Sequence, residues 1–193
     1  MSNKNIPQKI PELLSPAGDR QCALAAFQYG ADAIYLGAKE FSARHDAVNF
    51  TLEEIEEIIA YAHSLLPRRR VFITVNTLIK NREINGIIKL LGQLQEMAAD
   101  AFIIQDLGIF HLAKNFSQVE CHASTQLVAH DLPGAMALRD LGFKSITLAR
   151  ELTLAEIAQI SQAGIETEVF VHGALCYSYS GLCPYSSHQS GRS

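Results

Sequence analysis

Short runs of aliphatic and β-branched residues alternate with amphipathic stretches along the chain. Seven runs have the length and composition of strands: residues 12–14, 33–36, 71–76, 101–105, 119–123, 145–149 and 168–171. The stretches between them place apolar residues at helical spacing, as Ile55, Ile58, Ile59 and Ala62 do. Strands that alternate with helices are typical of βα units, so the pattern predicts a parallel sheet.

Helix starts and a repeated phrase refine this prediction. Thr51 with Glu54, and Thr153 with Glu156, match the capping box that opens a helix, and Pro67 predicts the end of the first of these helices. The phrases GADAI at 30–34 and AADAF at 98–102 repeat the same passage from a helix into a strand, which indicates iterated units. We therefore predict an α/β fold of the TIM-type (β/α) barrel class.

A doubly wound open sheet is the competing fold. That fold normally carries a glycine-rich phosphate turn after its first strand, and SPAG at 15–18 is not such a turn. A complete eight-unit barrel takes about 250 residues, whereas this chain has 193 and ends soon after its seventh predicted strand. We expect a single barrel domain over residues 1–193 that is incomplete at its C-terminus and lacks its last unit and any C-terminal domain.

Composition narrows the class of partner. Hydrophobic residues make up 48% of the chain, which is enough for one buried core. The formal charge of -4 gives no overall attraction for phosphate, and the basic cluster at 68–70 is predicted to be a solvated loop. The N-terminal segment lacks the apolar core of a signal peptide, and no apolar run approaches the roughly 18 residues of a membrane span. We expect a cytoplasmic protein without a membrane partner.

Polar residues follow the predicted strands, where barrel enzymes gather their active sites. Each of these residues taken alone is more simply explained as a loop cap. The indication of function is that polar residues recur at the ends of successive strands. The set comprises Glu12, Ser15, Tyr35, Asn76, Gln105, Asp106, His122, Ser124, Thr125, Gln126, Arg150, Glu151 and His172.

Two cysteines near the end of the chain form a candidate metal site. Cys176 and Cys183 bracket YSYSGL, a turn-prone stretch that could bring both sulfurs to one metal ion. Two semi-buried thiols are the alternative, since metal loops more often use a tighter Cys-x2-Cys spacing. Cys22 in the first helix and Cys121 in a strand are predicted to be packing residues and are excluded as ligands.

A Cys–His nucleophilic pair is another possibility for the same segment. His172 precedes Cys176 by four residues, but Gly173 indicates a turn there rather than a helix, and no orienting third group is visible. The patterns of zinc proteases and serine hydrolases are absent from the sequence. Hydrolysis of peptides is therefore poorly supported by the residues themselves.

Several segments together resemble peptidase family U32, the collagenase-like proteases. They are ELLSPAG (12–18), GADAIYLG (30–37), VNT (75–77), QDLG (105–108), HASTQ (122–126), LARE (148–151) and VFVHGALC (169–176). Several members of that family are understood as iron–sulfur proteins for oxygen-independent hydroxylation of ribosomal RNA, transfer RNA or ubiquinone precursors. SARHDAVNF (42–50), HGALCYSYSGLC (172–183) and the tail SSHQSGRS are most similar to the branch that hydroxylates a cytidine in 23S ribosomal RNA.

The resemblance implies a cofactor, a co-substrate and a partner. Cys176 and Cys183 match the first two ligands of a 4Fe-4S cluster, whereas the family's other two cysteines, which lie further along, are missing from this sequence. The resemblance also implies RNA as the partner and prephenate as a co-substrate, whose carboxylates would suit Arg44 or Arg150. We predict His172 as a catalytic residue. The predicted substrate-binding residues are Arg44, His45, Asn76, Gln105, Asp106, His122, Arg150 and Glu151.

Three functions stay open at this point. The first is an RNA cytidine hydroxylase of which this chain is the incomplete barrel, and the second is a collagenase-like peptidase that uses His172 or Cys176. The third is an inactive barrel that serves as a binding module, which the two missing cysteines favour.

Overall fold

A computed structural model describes residues 10–42, 49–173 and 176–183 of the chain. Strands and helices alternate throughout these residues. The elements are β1 (Leu14–Pro16), α1 (Arg20–Gln28), β2 (Ala33–Gly37), α2 (Leu52–Ser64), β3 (Arg70–Val75), α3 (Ile84–Glu96), β4 (Ala101–Ile104), α4 (Leu107–Phe116), β5 (Glu120–Ala123), α5 (Leu132–Leu141), β6 (Ser145–Thr147), α6 (Leu154–Gln162) and β7 (Thr167–Glu168).

The seven strands form one parallel sheet in the order of the sequence, β1 to β7. The sheet curls, since Glu168 on β7 lies within electrostatic reach of Glu12 ahead of β1 and of Arg70 on β3. Parallel strands in chain order with a helix after each of the first six confirm the predicted incomplete α/β barrel. The doubly wound alternative is wrong, because that fold requires the strand order to reverse.

The first and last strands differ most from the prediction, whereas the boundaries of the other five agree with it to within two residues. β1 begins at Leu14 rather than at residue 12, and β7 comprises Thr167–Glu168 rather than 168–171. A strand exists where its backbone pairs with a neighbour, and β7 pairs with β6 only through Ile146–Thr167 and Thr147–Glu168. The apolar run at 169–171 lies beyond that pairing and is exposed to solvent, so its β-branched composition misplaced the strand.

The predicted helix starts are confirmed. The Thr51 hydroxyl accepts from the Glu54 backbone N–H and the Glu54 carboxylate accepts from the Thr51 N–H; Thr153 and Glu156 repeat this arrangement. These caps satisfy backbone donors that a helix start otherwise leaves unpaired. The caps therefore fix the residues at which α2 and α6 begin. They also set where the loop before each helix crosses the end of the sheet.

Alternation along each strand divides the apolar residues into two layers. Ile34, Ile73, Phe102 and Ile146 point towards the helices and join the large core between helices and sheet. The opposite face, which we call the barrel interior, holds a small apolar cluster of Ala33, Phe72, Ala101 and Ile103 with Leu14 and Tyr35. Successive side chains of a strand point to opposite faces, so polar residues in register with this cluster also face the interior.

Two predictions about individual residues need correction. Cys22 lies in α1 but is exposed, so it does not pack in the core; Cys121 on β5 is buried, as predicted, and burial raises the pKa of its thiol to about 11. The basic cluster is a loop only at residues 68 and 69, since Arg70 begins β3; Arg68 is exposed as predicted, but the three arginines are ion-paired, with Asp100, Asp32 and Glu12 respectively. In the described part of the chain, no helix is long and apolar enough to cross a membrane.

Candidate functional site

The carboxyl ends of the strands carry most of the predicted site residues. Asn76 and Gln105 directly follow β3 and β4, and both are partly exposed at the opening of the barrel interior. Ile103 pairs with His122, and Ser124 continues that ladder by donating its backbone N–H to the Ile104 carbonyl at 2.9 Å. Gln105 therefore lies beside Ser124, one step above His122 on the same inner face.

His122 is buried inside β5 rather than exposed at its end. Its side chain is 2% exposed, and its ring meets the Phe72 ring edge-on with centroids 4.8 Å apart. Neither ring nitrogen has a hydrogen-bond partner among the described residues, and Glu120 Oε2 is 3.8 Å from Nε2, beyond hydrogen-bond length. Burial, with smaller contributions from Arg70 and Lys144, lowers the pKa of His122 to about 4, so the ring is neutral at pH 7.

Glu168 is an interior residue that the sequence analysis did not select. It faces the same interior, since Ser145 pairs with His122 and Thr147, two residues on, pairs with Glu168. The Thr147 hydroxyl donates to Glu168 Oε1 at 3.2 Å, whereas Oε2 is buried without a described partner. Desolvation raises the pKa of Glu168 to about 7, helped by the charges of Glu12 and Glu166. The sequence feature that could have identified Glu168 is a carboxylate at the start of an otherwise apolar run.

Asp106 has a clear structural contact set. Its Oδ1 accepts from the backbone N–H groups of Gly108 and Ile109 at the start of α4, and Oδ2 accepts from the Ile79 N–H at 3.1 Å. Asp106 is thus the N-cap of α4 and ties the loop after β3 to the end of β4. Substrate binding by Asp106 stays a prediction.

Arg150 and Glu151 hold the loop that carries both candidate metal ligands. The Arg150 guanidinium donates to the carbonyls of Ser178 at 2.9 Å and Cys176 at 3.5 Å, and to the Ser180 hydroxyl at 3.4 Å. Glu151 Oε1 accepts from the Ser180 N–H at 2.9 Å. Partial burial opposes the charge on Glu151, but hydrogen bonds from Ser180 outweigh it and lower the pKa of Glu151. We call residues 176–183 the cysteine loop and these contacts its clamp.

Close packing under the cysteine loop also requires a glycine. Gly181 has φ +74°, and a Cβ there would lie 2.2 Å from Val128 Cγ2 and 2.8 Å from the Gln126 carbonyl oxygen. Val128 itself is β-branched with φ 63°, a conformation such residues rarely adopt. The loop after β5, the loop after β6 and the cysteine loop therefore meet at one end of the sheet.

The cysteines lie on this loop at different depths. Cys176 is exposed and Cys183 is partly buried, and no disulfide joins either of them to another cysteine. Among the described residues, no group of three or more histidine, cysteine or acidic side chains could hold a metal ion. The described residues thus offer two thiols on one loop, and metal binding by them stays a prediction.

The remaining predicted residues are separate from this arrangement or are not described. His172 is exposed in the bend before the cysteine loop, and no hydrogen bond to the Cys176 thiol is described. Arg44 and His45 lie outside the described residues. Of the predicted set, the structure brings together Asn76, Gln105 and His122 on the inner face, and Arg150 with Glu151 at the cysteine loop.

Comparison with known proteins identifies the family. The model of peptidase family U32 matches residues 18–193. The chain belongs to this family. It is 44% identical over 183 residues to a 23S rRNA 5-hydroxycytidine synthase of Escherichia coli K12. The matched region covers 94% of this chain and 27% of that protein. It is 40% identical over 185 residues to tRNA hydroxylation protein P of Helicobacter pylori 26695, covering 94% and 43%.

A relative with a different name also matches. A collagenase of Porphyromonas gingivalis W83 is 29% identical over 197 residues, covering 94% of this chain and 46% of that protein. The chain thus spans less than half the length of these relatives. Among solved structures, the U32 peptidase Mk0906 matches with a TM-score of 0.70 at 15% identity, over 87% of this chain and 71% of that one. This likeness supports the barrel fold.

Proposed function

We propose that this U32 chain is the barrel part of an iron–sulfur-dependent, oxygen-independent RNA hydroxylase that acts on a cytidine of 23S ribosomal RNA. The observation that carries the proposal is the 44% identity to the E. coli 23S rRNA 5-hydroxycytidine synthase over nearly the whole chain. The tRNA hydroxylation proteins, at 40% identity for the H. pylori relative, support the same reaction class.

The clamped cysteine loop suits the proposed cofactor. Cys176 and Cys183 would supply two thiolates of a 4Fe-4S cluster, and a bound cluster would supply electron transfer at this site. Arg150 and Glu151 already hold the loop through its backbone. A ligand loop that is ordered beforehand loses less conformational freedom when it binds its metal. Neither Cys22 nor Cys121 lies on this loop, so the other two thiolates would have to come from outside the described residues.

Prephenate as co-substrate requires a cationic partner for its carboxylates. The Arg150 guanidinium already donates to three acceptors of the cysteine loop, so Arg44 is the better candidate of the two predicted arginines. The proposal therefore assigns carboxylate binding to Arg44 and loop positioning to Arg150.

The decisive experiment uses the full-length parent protein, purified anaerobically, and its gene deletion. Cys176→Ala and Cys183→Ala should each abolish bound iron, whereas the matched substitutions Cys22→Ala and Cys121→Ala should retain it, because those thiols lie in α1 and on the helix-facing side of β5. Deletion of the gene should remove the mass of one oxygen from one cytidine of 23S ribosomal RNA, and Cys176→Ala should fail to restore it. Full iron content in Cys176→Ala, or unchanged RNA, would contradict the proposal.

A collagenase-like peptidase is the second candidate, because the P. gingivalis collagenase is a relative. In that case His172 or Cys176 would take part in hydrolysis. A thiol that ligates iron is not a free nucleophile, so the two functions make opposite predictions for one variant. Gelatin cleavage that follows the protein through purification and is lost in Cys176→Ala, with RNA unchanged, would establish the peptidase.

A further inference from the structure

The barrel interior contains buried polar atoms that lack partners near the carboxyl end of the sheet. Gln105 Oε1, both ring nitrogens of His122, and Glu168 Oε2 are all buried without a hydrogen bond among the described residues. An unsatisfied buried polar group destabilises the folded state, so native proteins retain such groups where something else binds them. Several such groups converging on one inner face therefore indicate a ligand.

These side chains form a row that opens towards the carboxyl ends of the strands. Gln105 and Ser124 directly follow β4 and β5, and they occupy inward positions at the same level as Thr147 of β6 and Glu168 of β7, in that order across the sheet. His122 lies one step deeper and is almost fully buried, whereas Gln105 and Glu168 are partly exposed. A ligand entering from the cysteine-loop side would reach Gln105 and Glu168 first and His122 last. We call Gln105, His122, Thr147 and Glu168 the interior row.

Charge around the interior row favours an uncharged ligand. His122 is neutral at pH 7, and Glu168, whose pKa is about 7, is partly protonated there. Two described cations act on the row, and both are already paired: Arg70 with Glu12, while also stacked over Phe72 at 5.0 Å, and Lys144 with Glu166. An anion such as a phosphate or carboxylate would meet the partial charge of Glu168 without a compensating cation, which is costly in a buried site.

The unpartnered atoms also define the hydrogen bonds that a ligand must make. Gln105 Oε1 is an acceptor, neutral His122 offers one acceptor and one donor, and Glu168 Oε2 accepts when ionised and can donate when protonated. Acceptors predominate, so the ligand should bring an amino group with two hydrogens. Next to this amino group, the ligand should carry a hydrogen-bond acceptor to which the protonated Glu168 carboxyl can donate. The amino and N3 edge of cytosine has this pattern, whereas uracil has a carbonyl in place of the amino group.

We propose that the interior row binds the Watson–Crick edge of a cytosine base, with Glu168 donating to N3 and accepting from the amino group, and Gln105 Oε1 accepting the second amino hydrogen. The proposal rests on the proposed function, which supplies an RNA cytidine as substrate, and adds where and by which atoms the base is recognised. A base must leave its stack to reach side chains on the inner face of the sheet. The base binds below the cysteine loop, and Thr147 orients the Glu168 carboxyl through their hydrogen bond.

The test measures binding of free nucleosides to the purified 193-residue chain by equilibrium dialysis, with the nitrogen shifts of His122 as a second readout. Cytidine should bind about tenfold more tightly than uridine, as expected for one well-formed pair of hydrogen bonds. N4,N4-dimethylcytidine, which lacks both amino hydrogens, should bind no better than uridine. Cytidine should shift the His122 nitrogens, and uridine at the same concentration should not.

Variants at Glu168 give the sharper result. Glu168→Ala should abolish the preference for cytidine, whereas Glu168→Gln, which keeps one donor and one acceptor, should retain it. Wild-type affinity should fall as the pH rises above about 7, because ionised Glu168 cannot donate, and Glu168→Gln should be flat over that range. The other charged groups acting on Glu168 are Glu12, Glu166 and Arg70. Glu166→Gln removes one of the like charges that raise the pKa of Glu168, so it should move this fall in affinity to slightly lower pH without abolishing it.

The outcomes separate this proposal from the proposed function. Equal affinity for cytidine, uridine and the dimethylated nucleoside, or a cytidine preference that survives Glu168→Ala in a folded variant, would overturn the interior row as the base site. If RNA hydroxylation is meanwhile lost on deletion of the parent gene, the proposed function stands and the base is recognised elsewhere. A cytidine preference without any change in RNA on deletion would support the site and contradict the function.

Discussion

The two ends of this half-barrel use polar residues in opposite ways. At the amino ends of the strands, Asp100 accepts from Arg68, His63 and the Val71 backbone N–H at 2.8 to 2.9 Å. Towards the carboxyl ends, the interior row keeps four buried polar atoms without a described partner. Satisfied charges stabilise a fold, whereas unsatisfied buried groups weaken it unless a ligand binds them. The difference separates a structural end from a candidate functional one.

The amino end also shows the same arrangement twice. Asp32 accepts from the Leu13 backbone N–H at 2.9 Å and pairs with Arg69, just as Asp100 accepts from Val71 and pairs with Arg68. Both aspartates occupy the same position in the phrases GADAI and AADAF. Each therefore ties the start of its own strand to the start of a neighbouring strand, which is the physical meaning of that repeat.

The largest effect on stability is expected from a substitution at the amino ends of the strands, where the charged groups are paired. Asp100→Ala should lower the free energy of unfolding by about 3 kcal/mol, because it leaves the buried Val71 N–H unpaired and removes the partner of two basic groups. Chemical denaturation would measure the change. Asp140→Ala, at a carboxylate that is 65% exposed and paired with Arg139, is the control and should change the value by less than about 0.5 kcal/mol. Equal losses of unfolding free energy in the two variants would contradict the structural role assigned to the amino ends of the strands.

Glu168 should destabilise the chain as the pH rises. The pKa of Glu168 in the folded state is about 7, above the usual 4.5, so the folded state holds the proton more tightly. The stability that this group contributes is fully present below pH 4.5 and is lost as the pH rises through 7. Glu168→Gln should remove this decline and raise the free energy of unfolding at pH 8 by about 2 kcal/mol. Glu166→Gln should leave the decline in place. A wild-type stability that is flat between pH 5 and 8 would argue against the buried carboxyl.

His122 should act in the opposite direction. Burial lowers its pKa from 6.5 to about 4, so the unfolded chain binds the proton more readily, and stability declines as the pH falls from 6.5 to 4. His122→Phe keeps the ring contact with Phe72 and removes the two unpaired nitrogens, so it should abolish this acid decline and raise stability at pH 7 by about 1 kcal/mol. Thermal unfolding across pH 4 to 7 would measure it. Destabilisation at pH 7 would mean that the nitrogens have partners in solution.

The clamp should have the smallest effect on global stability. Arg150→Met should change the free energy of unfolding by less than about 1 kcal/mol, because the cysteine loop opens locally without unfolding the sheet. Amide exchange at Ser180, whose N–H donates to Glu151, should nevertheless accelerate about tenfold, since the loop loses its guanidinium contacts. Arg139→Met, at a partly exposed arginine on α5, should leave this exchange unchanged. Unchanged exchange in Arg150→Met would show that Gly181 and Glu151 hold the loop without it.

The sequence by itself determined the barrel and part of its site. Strand and helix periodicity, two capping boxes and the repeated aspartate phrase specify local structure, and local structure in this order leaves little choice of topology. The residues at the ends of strands, Asn76 and Gln105, followed from the same pattern. The two cysteines were visible because their spacing is local.

Tertiary structure decided which polar groups are paired. Arg150 looked like a carboxylate ligand in sequence, but the fold brings it to the carbonyls of a loop 26 to 28 residues away. Glu168 looked like an ordinary strand residue, and its neighbours Glu12 and Arg70 lie more than 90 positions earlier in the chain. Burial and pairing depend on which strands become neighbours when the sheet curls, and spacing along the chain does not record that.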